Sequence, residues 1–117
     1  MENLYMIKNT VVLVPFPFDD LSSSKLRPAL CLTAETGEHK HIIVAFISSK
    51  IPECILKSDI VLLKGSDLWQ GTGLISDSVI RLHKMVTIPK SLLVRKLGKI
   101  NQEVEHLVYQ KLEELFF

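Results

Sequence analysis

The sequence predicts a small, mainly β domain closed by one C-terminal helix, arranged as a compact, partly open barrel. Three observations carry that expectation. Short β-branched apolar runs recur along the chain, separated by polar loops and glycine turns. Only the last segment has apolar residues at helical spacing. Strands and helices do not alternate, which argues against a doubly wound α/β sheet.

The elements follow in order. Thr10–Pro15 (TVVLVP) is β-branched and ends at Pro-Phe-Pro, which cannot continue a strand ladder. Phe16–Leu26 holds two acids, three serines and a lysine, side chains that favour local loop hydrogen bonds. Pro28–Thr33 and His41–Ile47 are apolar runs flanking a Glu-Thr-Gly-Glu turn, and they read as a hairpin in which Gly37 supplies the positive φ. Asp59–Leu63 predicts a shorter strand, Lys64–Gly73 a loop around Trp69, and Ser78–Leu82 and Met85–Ile88 two short strands. Leu92–Ile100 fits either a strand broken at Gly98 or a short helix capped by that glycine. Asn101 is a good N-cap for the final helix, in which Val104, Leu107, Val108, Leu112 and Leu115 share one face.

Length and composition fit one domain over 1–117: 117 residues, 47% apolar and 23% charged, in the range of folded rather than disordered chains. No run approaches the roughly 18 apolar residues of a membrane span, and the N-terminus does not read as a secretory signal. With only Cys31 and Cys54 there is no disulfide framework, and no His or Cys spacing suits zinc. The expectation is a cytoplasmic protein without metal or cofactor. A net charge of +1 removes the simplest argument for a nucleic-acid partner, a strongly basic chain.

A few residues invite chemistry. Arg27, rooted before Pro28 at the start of a buried strand, is either a surface arginine or an anion clamp with forked donors. Ser48 and Ser49 follow the most apolar strand. They either close the strand with local hydrogen bonds or offer a hydroxyl to a transition state, and no G-x-S-x-G elbow marks them as nucleophiles. Arg81 and His83 stand two apart in a strand-like run, so they would share a face and could hold a phosphate and move a proton, or simply be solvated. Charge is segregated: Ser78–Ile100 carries Arg81, Lys84, Lys90, Arg95, Lys96 and Lys99 and no acid. Such a run is either a footprint for a polyanion or acidic peptide or a solvated face. Phe16, Phe18 and Trp69 are candidates for stacking on bases or for plugging a barrel end.

The stretch VVLVPFPFDDLSSSKLRPALCLT closely resembles the opening of the MazF/PemK-like toxins: an apolar strand, PFPF, a D-L-S-x-S-K loop, then R-P-A-L and a second strand. HIIVAFISSKI, GLISDSVIRLHKMVTIPKSLLVRKLGKI and the terminal helix continue the likeness from about residue 8 onward. The resemblance implies a small SH3-like barrel, usually a homodimer, acting as the toxin of a type II toxin–antitoxin pair. It implies a metal-independent, sequence-selective endoribonuclease that cuts single-stranded RNA through the 2′-hydroxyl, leaving a 2′,3′-cyclic phosphate, and that is neutralised by a cognate antitoxin. By the same likeness Arg27 would contact the scissile phosphate, Ser48 would donate a hydrogen bond, and His83, at a position where many members carry Asp, would be the candidate base. Phe16, Lys25, Ser49, Arg81 and Lys84 would bind RNA.

Two further departures from the pattern stand out. Asn9-Thr10 replaces the Gly-Asp before the first strand, and Ser48 replaces the commoner Thr. Other readings also stay open. The fold serves CcdB-type toxins that bind gyrase and cut nothing, and His83 in place of Asp would also suit a degenerate binding module.

Overall fold

The computed structural model describes residues 7–15 and 25–117. Six strands form one antiparallel sheet: β1 (Thr10–Pro15), β2 (Leu26–Cys31), β3 (His41–Ser48), β4 (Asp59–Leu62), β5 (Ser78–Pro89) and β6 (Arg95–Lys99). Their order across the sheet is β4-β5-β3-β2-β1-β6. A 3₁₀ turn at Lys90–Leu92 joins β5 to β6, and helix α1 (Gln102–Phe116) ends the chain. The sheet curls into a half-barrel, so the expected mainly β, partly open barrel with a C-terminal helix is what forms. The expected loop Phe16–Leu26 lies outside the described residues up to position 24, and with it Phe16 and Phe18.

The curled sheet buries apolar side chains on both faces. The inner cluster joins Val11, Leu30, Ala45, Ile47, Leu62, Ile80 and Leu82 to Val104 and Val108 of α1. The outer cluster takes the alternate residues, Val12, Val14, Ala29, Cys31, Ile42 and Val44, under Phe46, Val86 and Leu93. Burial on both sides explains why HIIVAFI is continuously apolar rather than alternating. Cys31 is fully buried, and that burial raises its thiol pKa against a smaller lowering by its hydrogen bond with Thr10. It packs as a small hydrophobe.

Two sequence ambiguities resolve here. Leu92–Ile100 is a strand after the 3₁₀ turn, and Gly98 has a packing reason: a Cβ there would strike the carbonyl of Gly71 and the backbone of Thr72. Gly73, at φ +75°, rests in turn on the Leu97 carbonyl. The 71–73 arch and β6 therefore interlock through glycines at both contacts. Ser78–Leu82 and Met85–Ile88 are one bent strand, because Phe46 pairs with Arg81 while its neighbour Ala45 pairs with Met85. Leu82, His83 and Lys84 bulge out of that pairing, and a bulge of this kind re-aims side chains.

The entry to β1 turns at Asn9. Asn9 takes φ 71°, a left-handed conformation that asparagine tolerates better than other non-glycine residues. Its backbone N–H donates to the Cys31 carbonyl (2.8 Å), its carbonyl accepts from Ile100 N–H (3.0 Å), and its side-chain amide donates to Glu105 (2.9 Å). Asn101 caps α1, its side-chain oxygen accepting from Val104 N–H at 3.1 Å.

Candidate functional site

β2 and β3 pair Ala29 with Phe46, Leu30 with Ala45 and Cys31 with Val44. Continuing that antiparallel register toward the strand ends sets Arg27 level with Ser48. Residues two apart on a strand share a face, so Arg27, Phe46 and Ser48 lie on the side of the outer cluster. Pro28 cannot donate an N–H, which leaves the β2–β3 ladder open at this end. A cleft of about 370 Å³ occupies the place, lined by Arg27, Pro28, Phe46, Ile47, Ser48 and Ser49 on one side and by Leu74, Ile75, Ser76 and Ser78 on the other.

Arg27 is half-buried, and Ser48 is half-buried at the strand end. The Ser48 hydroxyl is held locally: Lys50 N–H donates to its oxygen (3.0 Å), and it donates to the Lys50 carbonyl (3.2 Å). That second bond is long and solvent-exposed, so exchanging it for an anionic acceptor costs little. A guanidinium beside a hydroxyl at the mouth of a cleft can hold a phosphate and answer charge growing on its oxygens.

The other sequence candidates are placed differently. Ser49 is exposed on the cleft rim. Lys84 sits over the Phe46 ring, 5.4 Å from its centroid, a cation–π contact that brings its charge beside the cleft. Lys25 is exposed just before β2. Arg81 is spent on Asp59: its Nε donates to Oδ1 at 3.0 Å and its terminal nitrogen to Oδ2 at 3.4 Å. The Asp59 side chain is 0% exposed, and it also accepts from Leu56 N–H at 2.8 Å, so Arg81 acts first as the partner of a buried carboxylate. Phe16 lies outside the described residues.

His83 is not among the cleft-lining residues. Its Nδ1 shares a hydrogen bond with Ser58 Oγ at 2.9 Å. Burial lowers its pKa below the ordinary value, the charges of Arg81 and Lys84 push the same way, and Asp59 opposes them. The folded protein thus favours neutral His83. The stability this gives is fully present above the unfolded value of about 6.5 and is lost as pH falls toward the lowered folded value. We expect the His83 imidazole, followed by NMR, to titrate below about 6.5. A midpoint at or above that value would contradict the placement beside Arg81 and Lys84.

The basic run of the sequence is not one surface. Arg81 is paired with Asp59, and Lys90 binds Glu35 at 2.6 Å. Arg95, Lys96 and Lys99 sit exposed on β6, at the edge of the sheet opposite β4. Trp69 is half-buried. It packs against the inner cluster and donates its indole N–H to the Ser76 carbonyl at 3.1 Å. Sequence reasoning missed the second wall, Leu74–Ser78, because these residues look like an ordinary turn before β5. The only hint was two glycines and a tryptophan just upstream.

With this geometry in hand, the likenesses to known proteins are informative. A family model described as the PemK-like, MazF-like toxin of type II toxin–antitoxin systems matches residues 8–116. The chain belongs to that family. No curated protein sequence matches it significantly. Among solved structures it is similar to the Mycobacterium tuberculosis toxin MazF-mt6, with 21% identity, a TM-score of 0.68, and coverage of 92% of this chain and 95% of that one. It is also similar to an endoribonuclease in complex with its cognate antitoxin from a mycobacterial species, with 13% identity, a TM-score of 0.66, and coverage of 92% and 91%. At these identities the likeness is one of fold. Family membership makes this chain a MazF-like toxin, and no described helix is long and apolar enough to cross a membrane.

Proposed function

We propose that this toxin is an endoribonuclease that cuts single-stranded RNA in the cleft between Arg27, Ser48 and the Leu74–Ser78 wall. The observation that carries the reading is the register of β2 on β3, which brings an arginine and a serine distant in sequence to one cleft mouth. Solved structures of similar fold described as endoribonucleases support it.

The RNA supplies its own nucleophile. The 2′-oxygen attacks the adjacent phosphorus and passes its proton to water, the bond from phosphorus to the 5′-oxygen breaks, and that oxygen takes up a proton from water. The products are a 2′,3′-cyclic phosphate and a 5′-hydroxyl. Arg27 stays protonated near neutral pH, so it acts as fixed positive charge with forked donors on the phosphoryl oxygens. Ser48 turns its hydroxyl from the Lys50 carbonyl to a phosphoryl oxygen as charge builds there. His83, bonded to Ser58 away from the cleft lining, is assigned no step. Lys84, Ser49 and Lys25 border the path of the strand. The enzyme works as a homodimer, selects a short RNA sequence, and is silenced by an antitoxin; for the antitoxin alone, a solved endoribonuclease of similar fold in complex with its cognate antitoxin lends support.

Nothing in these steps calls for a metal. Cleavage of a defined RNA should proceed at an unchanged rate in excess EDTA, and loss of activity restored by a divalent cation would refute the scheme. A gyrase-directed toxin has no use for Arg27 and Ser48 at one cleft mouth. Gyrase inhibition without RNA cleavage would favour that alternative.

A further inference from the structure

The chemistry proposed for the cleft uses one wall and leaves the other, Leu74–Ser78, without a task. That second wall is firmly built. The Ser76 carbonyl accepts two hydrogen bonds, from the Trp69 indole N–H (3.1 Å) and from the Ser78 hydroxyl (3.1 Å). Asp77 accepts from Lys64 N–H at 2.7 Å. Upstream, Gly73 is wedged against Leu97, and Leu74 is buried in the inner core.

Between these anchors Ile75 is 86% exposed. A lone exposed apolar side chain on a loose loop would need no explanation. Ile75 instead stands on a pinned backbone and lines the same cleft as Arg27. Ser76 and Ser49 line the same cleft, as does Ser78, whose buried hydroxyl is committed to the Ser76 carbonyl. A nucleobase has an apolar face and polar edges, and single-stranded RNA is read by stacking or packing on the face and hydrogen bonding to the edge. Serine hydroxyls both donate and accept, so they suit such edges.

We propose that Ile75 is a specificity-determining residue that packs against the face of a nucleobase flanking the scissile phosphate, and that Trp69 is the positioning residue that holds it there through the Ser76 carbonyl. This rests on the reading of the cleft as an RNA-cleaving site and adds to it the element that chooses the base.

The test is methyl NMR of the full-length protein with short single-stranded 2′-deoxy oligonucleotides of each base, which cannot be cut through a 2′-hydroxyl. It is paired with cleavage of an RNA library by variants. Ring currents of a packed base should shift the Ile75 methyl signals on titration. Ile75→Ala should lower kcat/KM on the preferred sequence roughly tenfold, mostly through KM, and broaden the base preference beside the cut. Ile75→Leu should restore both, and Trp69→Phe, if equally stable to heat, should broaden the same preference.

Several outcomes would overturn the proposal. If the backbone amide signals of Ser48 and Ser49 in the cleft move while the Ile75 methyls do not, the cleft binds RNA but Ile75 is no contact. If Ile75→Ala keeps the parental base preference, it selects nothing. If the Ile75 signals shift with protein concentration alone, a second copy of the chain covers it. If no oligonucleotide shifts any cleft methyl and no RNA is cut, the reading of the cleft fails and the assignment of Ile75 falls with it.

Discussion

Arg27→Ala should leave a folded protein whose RNA cleavage is lower by at least about a hundredfold, the usual cost of removing one preorganised donor from a developing anion. The expected loss falls in kcat rather than in KM, because the charge it answers is greatest in the transition state. Thermal melting should barely change: Arg27 is half-buried at the open end of β2, outside both apolar clusters. Arg27→Lys should recover little, since an ammonium keeps the charge but loses the fork. Single-turnover cleavage with a circular-dichroism melt of each variant checks this. A folded Arg27→Ala protein with parental activity would move the active site elsewhere on the molecule.

Asp59→Ala should have the largest effect on stability. The Asp59 carboxylate is fully buried and accepts three donors, two from Arg81 and one from the Leu56 backbone. Removing one partner of a buried ion pair typically costs 3–5 kcal/mol, because the other charge is left uncompensated. Arg81 retains some exposure and can turn partly to water, so about 3 kcal/mol is expected here. For a domain of this size that lowers the melting temperature by roughly 10 °C or more. A shift of only a degree or two would show that Arg81 does not depend on Asp59 and would return it to the pool of cations available for RNA.

Much of this was legible in the sequence, and the reasons are physical. β1, β3 and α1 were readable because burial imposes a periodicity or a continuous apolar run, and because Asn101 is chemically committed to a cap. Arg27 and Ser48 were legible as candidates from their places at strand ends. Their meeting came only through the family resemblance, since it depends on the register of β2 against β3. The bulge at Leu82–Lys84 could not be read, nor could the partners that Arg81 and His83 take. Three residues leave the pairing with β3 there, Arg81 pairs with Asp59, and His83 bonds with Ser58 just before β4. The basic run misled for a similar reason: Glu35 and Asp59, far away in sequence, neutralise two of its charges. Trp69 was a candidate for stacking on bases or plugging a barrel end; its packing on the inner cluster and its bond to the Ser76 carbonyl were not readable from the sequence. Asn9 stands where the family pattern has glycine, and asparagine tolerates the left-handed conformation it takes here.

The central claim is that this toxin cuts RNA by means of the RNA's own 2′-hydroxyl, with Arg27 and Ser48 at the phosphate. Its most direct test is end analysis of one defined single-stranded RNA cut by the purified protein, beside the same RNA carrying a single 2′-deoxyribose at the cut. The account predicts a 2′,3′-cyclic phosphate and a 5′-hydroxyl from the first and no cleavage at that position in the second. Equal cleavage of both, or a 5′-phosphate product, would contradict it.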